Sequence, residues 1–394
     1  MVEKYRHLYV IIEHDGEAFL PVSLEMIAEA RRLMDDFNPK YSSKEKVVAV
    51  ILGHNLQDLS KQLIEYGADA VIYADNPELE DIRNTIYTKV IGQIAQDTKS
   101  LGEIEPEYAN DVKRPRYLFF AADSIGRHLS STTLVELESG LASDINQLVI
   151  SDIEMSHQQK TGGTKETYAK TLEMYRPDFS GFLWTTILCL DNRNPAFQRD
   201  YHPQSCSIIP GVFEPLKQDS SREGKIIEFT PTIDQQDLRV KVLSREIIKS
   251  EVDFETPRTI VSFGRGIKDD PEQNIKLIEN LAKELNAEIG VTLPMSKKPY
   301  QISQALDSKY MIPDRVIGTS GHKTSAMLYI AAGVGGAMQH VMGMKDSGFV
   351  VGINPDEEAP IKNECDIFIK GRMEDVIPLL IEEIKKQMQI VEVQ

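Results

Sequence analysis

The chain has 394 residues, and its 61 acidic against 44 basic side chains give a formal charge of −17. Such a surface repels phosphodiester backbones unless a basic stripe intervenes, and no stripe is visible. Hydrophobic residues at 41% and charged residues at 27% describe an ordinary globular protein, long enough for two cores and without an apolar run that would span a bilayer.

The N-terminal MVEKYRHLYVIIEHDG carries charges inside its apolar run, unlike a cleaved secretory signal. LYVIIE (8–13) reads as a strand, LEMIAEARRLMDDF (24–37) as a helix, and KVVAVILG (46–53) as a second buried strand. LSKQLIEYGADAVIYAD continues with helix, Gly67 and strand, then a helix around 87–98 and the strand RYLFFAAD (116–123). This β-α-β alternation predicts a parallel sheet covered on both faces. Ligands of such sheets bind at the carboxyl ends of the strands, so DSIGRHLSS (123–131) is either a partner or nucleotide surface or an ordinary strand-to-helix loop.

From 151 to about 229 the pattern changes to short β-rich pieces: IEMSHQQK, TYAKTLEMYRP, GFLWTTILCLDN and SCSIIPGVFEP. Antiparallel strands are predicted, with turns at Gly162-Gly163 and 177–181 and with Trp184 in a core or an interface. After the polar QDSSREGK, a strand is predicted over LRVKVLSREI, and Glu251 to Pro257 is the linker candidate. Cys189, Cys206 and Cys365 are too far apart for a metal knuckle or an iron–sulfur loop, and they read as reduced thiols of a cytoplasmic protein. Redox chemistry would then have to come from a bound organic cofactor.

Past Pro257 the βα rhythm resumes. TIVSFGRGIK places Arg265 between two glycines at a strand's end, where it either forks onto an anion or belongs to a purely structural turn. The following helix has apolar residues at Ile275, Leu277, Ile278, Leu281 and Leu285. GTSGHKTSA (318–326) is a hydroxyl-rich loop able to bond an acceptor-rich ring or a phosphate. In GVGGAMQH (333–340) the glycines lead into a helical pattern that brings Gln339 and His340 near any ligand there, although a histidine among apolar neighbours is also a common satisfied core residue. Asn354 ends a strand poised to bond a polar edge, and Asp356, Glu357 and Glu358 read as a solvated turn rather than a metal site. No nucleophile elbow appears, so covalent catalysis has no support.

VSFGRGIK, NAEIGVT, GTSGHKTSAMLYIAAGVGGAMQHVMGM and GFVVGINPDEEAPI, in that order, resemble the FAD domain of the electron transfer flavoprotein alpha subunit. RPDFSGFLWTTI and SIIPGVFEP in the first half resemble the same family. The resemblance implies an α/β fold in two domains: residues 1–255 as an N-terminal parallel-sheet domain with an antiparallel extension, and 256–394 as a Rossmann-like FAD-binding domain. It implies an electron carrier subunit rather than an enzyme, paired with a beta subunit. Electrons would pass from flavin dehydrogenases such as acyl-CoA dehydrogenases to a quinone oxidoreductase, and some members bifurcate them. Neither nucleic acid nor a membrane span is implied.

Carried over by motif, Arg265 would lie over the diphosphate or flavin and Thr292 would touch the cofactor. Ile317, Gly318, Thr319 and Ser320 would line the isoalloxazine, with Ser320 near N5. Gly335, Gly336, Ala337, Met338, Gln339 and His340 would wrap the cofactor, with His340 at a pyrimidine carbonyl, and Asn354 would meet the adenosine half. The chain also departs from the family. Thr292-Leu293 stands where Ser-Arg is usual, Thr319-Ser320 replaces Gln-Thr, and Arg372 falls where an Asp near the adenosine is expected. MSKKPYQISQALDSKYMIPD is longer than usual, and Lys297, Lys298, Lys323 or His322 are candidates to replace the missing cation. Two other readings are an NAD-binding enzyme resembling deoxyhypusine synthase or transhydrogenase domains, which lacks G-x-G-x-x-G support, and a cofactor-free interaction module.

Overall fold

The computed structural model describes residues 4–108, 112–178, 183–244, 252, 254 and 258–391. The described residues up to 244 form one compact unit and those from 252 onward another. The predicted boundary near 255 and most of the linker candidate lie outside the described residues; Phe254 is buried with the second unit.

In the first unit β1 (Tyr5–Ile11) leads to α1 (Pro21–Tyr41), β2 (Val47–Gly53), α2 (Gln57–Glu65) and β3 (Ala70–Asp75). Helices α3 (Asn84–Gln96) and α4 (Thr98–Ile104) precede β4 (Arg114–Ala121), α5 (Ser124–Glu136) and β5 (Leu141–Ile145). Helix α1 starts on Pro21, whose missing N–H costs nothing there, and stops at Ser42 in the left-handed region with φ 49°. Between these ends Met26, Ile27, Ala30, Leu33, Met34 and Phe37 recur at helical spacing and are buried. All of β2 is buried, as a strand covered on both faces requires.

Next come β6 (Gln147–Ser156), the short α6 (Gln158–Thr161), β7 (Lys165–Asp178) and β8 (Leu183–Leu188), which form a three-stranded antiparallel sheet. Gly162 and Gly163, at φ 66° and 86°, turn the chain between β6 and β7. The second predicted turn lies mostly outside the described residues. Trp184 is 56% exposed, so of its two predicted places the core is ruled out.

Two expectations are corrected. SCSII forms β9 (Gln204–Ile208), which pairs parallel with β4 and is wholly buried, so it belongs to the main sheet and not to the antiparallel one. The strand predicted over LRVKVLSREI does not form among the described residues. Leu238 and Arg239 close a 3-10 turn, and Val240, Val242 and Leu243 have no strand partner and stay exposed. The edge strand is instead β10 (Lys225–Phe229), paired parallel with β3. The resulting seven-stranded sheet runs β10-β3-β2-β1-β4-β9-β5.

The second unit contains β11 (Thr259–Phe263), α7 (Pro271–Leu285), β12 (Glu288–Val291), α8 (Gln304–Tyr310) and β13 (Leu328–Ala332). It continues through α9 (Met338–Met344), β14 (Val350–Asn354), β15 (Ile367–Lys370) and α10 (Met373–Val391). Asp270 caps α7 by accepting from the Gln273 amide, and Asn286 closes it at φ 47°. Ile275, Ile278 and Leu281 are buried against the sheet, with Leu277 and Leu285 at the margin. The five strands are all parallel in the order β12-β11-β13-β14-β15, so the direction of winding reverses between β11 and β13. Doubly wound sheets carry their ligands at that reversal.

Candidate functional site

At the reversal, Gly264 to Gly266 after β11 meets Gly333 after β13. The Gly266 amide donates to the Gly333 carbonyl at 3.0 Å, and a Cβ on Gly266 would stand 2.4 Å from the Gly333 Cα. This backbone contact needs glycine, and it opens a cavity of about 880 Å³ along the carboxyl ends of the strands. That volume lies within the usual range for cofactor sites.

On the β12 side the wall is Thr292, Leu293 and the loop 317–320. The Ile317 amide donates to the Val291 carbonyl at 2.9 Å, and the Thr319 amide donates to the Gln339 carbonyl at 2.8 Å. Thr319 and Ser320 therefore present exposed hydroxyls from a loop pinned at both ends. Gly318, at φ 145°, packs its Cα face against the Gln339 carbonyl, where a Cβ would come within 2.6 Å.

In the middle lie Gly335, Gly336, Ala337 and Gln339. Among the described residues, no acceptor in the chain takes the amide protons of Gly335, Gly336 or Ala337. Arg265 and Lys268 line the same stretch, and among the described residues neither has a carboxylate partner. Cations and amides without partners, brought together in this way, suit an anion such as a diphosphate.

At the far end are Asn354, Arg372 and Glu374. Asn354 holds the loops together: its Nδ2 donates to the Val334 carbonyl at 2.9 Å and its Oδ1 accepts from the Asp356 amide at 2.9 Å. Arg372 pairs with Asp269 at 2.5 Å and Glu374 at 3.4 Å.

Of the residues carried over by motif as cofactor contacts, all but Met338 line this one cavity. Met338 opens α9 and is 40% exposed outside the cavity lining. His340 is 4% exposed with both ring nitrogens occupied. Its Nδ1 donates to the Ile317 carbonyl at 2.9 Å, which leaves Nε2 to accept from the Tyr329 hydroxyl at 3.0 Å. Burial pushes its pKa down to about 4, so the ring is neutral and has no free proton to offer a ligand carbonyl. It fulfils the alternative reading, a satisfied buried histidine, and it braces the 317–320 loop against α9.

The four candidates for a replacement cation do not reach the cavity wall. Lys298 pairs with Asp307, and the His322 ring packs 5.3 Å from that of Phe254. Leu293, 37% exposed, puts a hydrocarbon where the resemblance implies a guanidinium. Sequence reasoning missed Tyr300, whose hydroxyl donates to the Arg265 carbonyl at 3.1 Å, as well as Lys268 and Glu374. Tyr300 comes from the longer polar stretch, whose length was the available signal.

Among the described residues no cluster of His, Cys, Asp or Glu is arranged to hold a metal ion, and no helix is long and apolar enough to cross a membrane. Residues 253–345 match the family model of the electron transfer flavoprotein FAD-binding domain, and 8–177 match that of the electron transfer flavoprotein domain. The chain is 33% identical to the electron transfer flavoprotein subunit alpha of Thermoanaerobacterium thermosaccharolyticum over 97% of its length and 98% of the relative's. It is 32% identical to protein FixB of Clostridium saccharobutylicum over 98% of both chains. It is 29% identical to the acryloyl-CoA reductase electron transfer subunit beta of Anaerotignum propionicum, over 98% of this chain and 97% of that one. These matches run nearly end to end, and the FAD-domain match covers most of the cavity's loops; the chain belongs to the electron transfer flavoprotein alpha subunit family, whose members are electron carriers rather than catalysts.

Proposed function

We propose that this chain is the FAD-bearing alpha subunit of a heterodimeric electron transfer flavoprotein. It would take electrons from flavin dehydrogenases of the acyl-CoA type and pass them to a quinone oxidoreductase or another acceptor. The observation that carries this reading is the cavity where β11 and β13 part, with Arg265 and Lys268 unpaired beside unsatisfied amides. FAD supplies the electron chemistry when bound. The residues around it bind and orient: Arg265 and Lys268 offset the diphosphate charge, Thr319 and Ser320 offer hydroxyls to the ring system, and Leu293 keeps its surroundings apolar.

A fixed cation near a flavin favours its anionic form, because opposite charges interact strongly where water is excluded. With Leu293 at this wall, that stabilisation is absent on this side. The name of the Anaerotignum relative favours an acyl-CoA oxidoreductase as the electron partner. Residues 1–255 would serve as a scaffold and 256–394 as the cofactor domain. Leu183 and Trp184, each 56% exposed on β8, would contribute to the beta-subunit contact. Three free thiols fit a cytoplasmic site of action.

The test is co-expression with a beta subunit, followed by an absorbance spectrum and quantitation of flavin released on denaturation. One FAD per alpha chain is expected. A heterodimer that stays colourless after reconstitution with excess FAD rejects the proposal.

A further inference from the structure

A carboxylate on the wall of a diphosphate receptor is unfavourable unless the ligand presents donors to it. Glu374 is such a carboxylate. Its Oε1 accepts from the Asn274 Nδ2 at 2.9 Å and from the Arg372 Nη2 at 3.4 Å. Asn274 is fully buried, and the same Nδ2 donates to the Ile267 carbonyl at 3.2 Å, in the turn that carries Arg265. Both amide protons are thereby committed, and one buried side chain ties the Arg265 turn to the start of α10. Burial alone would raise the Glu374 pKa, but bonds from its own backbone amide, Asn274 and Arg372 outweigh it and hold the carboxyl below its usual value. Both side-chain donors converge on Oε1, and no side chain among the described residues donates to Oε2.

The charges at the two positions differ in sign. Among the described residues Arg265 and Lys268 have no carboxylate partner, whereas Arg372 sits between Asp269 and Glu374, a group with one net negative charge. A phosphate is attracted to the first and repelled by the second. Vicinal hydroxyls, which donate to a carboxylate in short charge-assisted bonds, suit the second.

We infer that Glu374 accepts the ribose hydroxyls of the dinucleotide's adenosine half, with Arg372 and Asn274 as positioning residues, in the place where the family resemblance implies an Asp at 372. This rests on the FAD reading above. It also makes the site selective against a ribose carrying a 2′-phosphate.

The experiment measures FAD and FMN dissociation constants for the flavin-stripped heterodimer, wild type against Glu374→Gln, Glu374→Asp and Arg372→Gln. FMN lacks the adenosine half, so on this reading it makes no contact with Glu374. Glu374→Gln is expected to weaken FAD roughly 10- to 100-fold, the span for a lost bond to a charged group, with FMN binding unchanged. Glu374→Asp recovers part of the loss, and Arg372→Gln weakens FAD by less than Glu374→Gln. Unchanged FAD affinity in Glu374→Gln, or equal weakening of both flavins, overturns the inference. A wild type that binds neither flavin overturns the FAD reading itself, which is a distinguishable result.

Discussion

Where the first sheet reverses, between β1 and β4, the chain places Glu13 and Asp123; where the second reverses, between β11 and β13, it places Gly264, Gly266 and Gly333. In the first unit Asp123 accepts from the Ile125 and Gly126 amides at 2.9 and 2.8 Å, so the free donors at the start of α5 are already capped. Glu13 is 4% exposed against that start, and a Cβ on Gly126 would come within 2.7 Å of its Oε1. Burial first, then the bond to Asp123 and that residue's charge, push the Glu13 pKa up to about 9. In the second unit the same topology ends in glycines, open amides and unpaired cations. Topology offers a crevice to both sheets, and side chains close one and leave the other as a site.

Substitutions can break or sharpen this contrast. The largest effect is expected from Gly336→Ala, because Gly336 has φ 80° and a Cβ there would stand 2.1 Å from the Ile361 amide nitrogen. A loss of about 3 kcal/mol or more is expected, with release of flavin, read by chemical denaturation. Gly335→Ala is its control: a Cβ there meets nothing within 4 Å, so stability should stay within about 0.5 kcal/mol. A large loss in Gly335→Ala would show that the loop cannot tolerate any side chain.

Arg265→Gln should weaken FAD about tenfold or more, most strongly at low salt, in a fluorescence titration. Glu13→Gln tests the closed rim. The unfolded chain ionises this group near 4.5 and the folded chain near 9, so its contribution to stability falls as pH rises between those values. The variant should melt with wild type below about pH 4 and become progressively more stable than wild type as pH rises toward 8. A constant difference across that window would mean Glu13 is not held protonated. The smallest effect is expected from neutralising Lys297, Lys298 or Lys323, none of which lines the cavity: the flavin potential should not move.

Legibility from sequence followed the same contrast. VSF and VVGIN read as strands ending in glycine and in Asn354, and the contacts that the family resemblance carried onto the loops, Met338 aside, line one cavity. β9 was misassigned because its short SCSII run sits among antiparallel pieces and only its pairing with β4 reveals its sheet. β10 was passed over for LRVKVLSREI, which has the stronger alternation but no partner among the described residues to bury it. Glu374 was illegible because its role depends on Asn274, 100 positions away in sequence, and on an arginine between two acids. His340 was visible, but its fully committed ring nitrogens depend on Tyr329 and a carbonyl from another loop.

Trp184 is the only tryptophan in the chain and is more than half exposed on β8. The intrinsic fluorescence of the alpha subunit at tryptophan wavelengths therefore comes from a single address. An indole in water emits to the red of one enclosed by protein, so docking of a second chain onto this ribbon would register as a blue shift without any label.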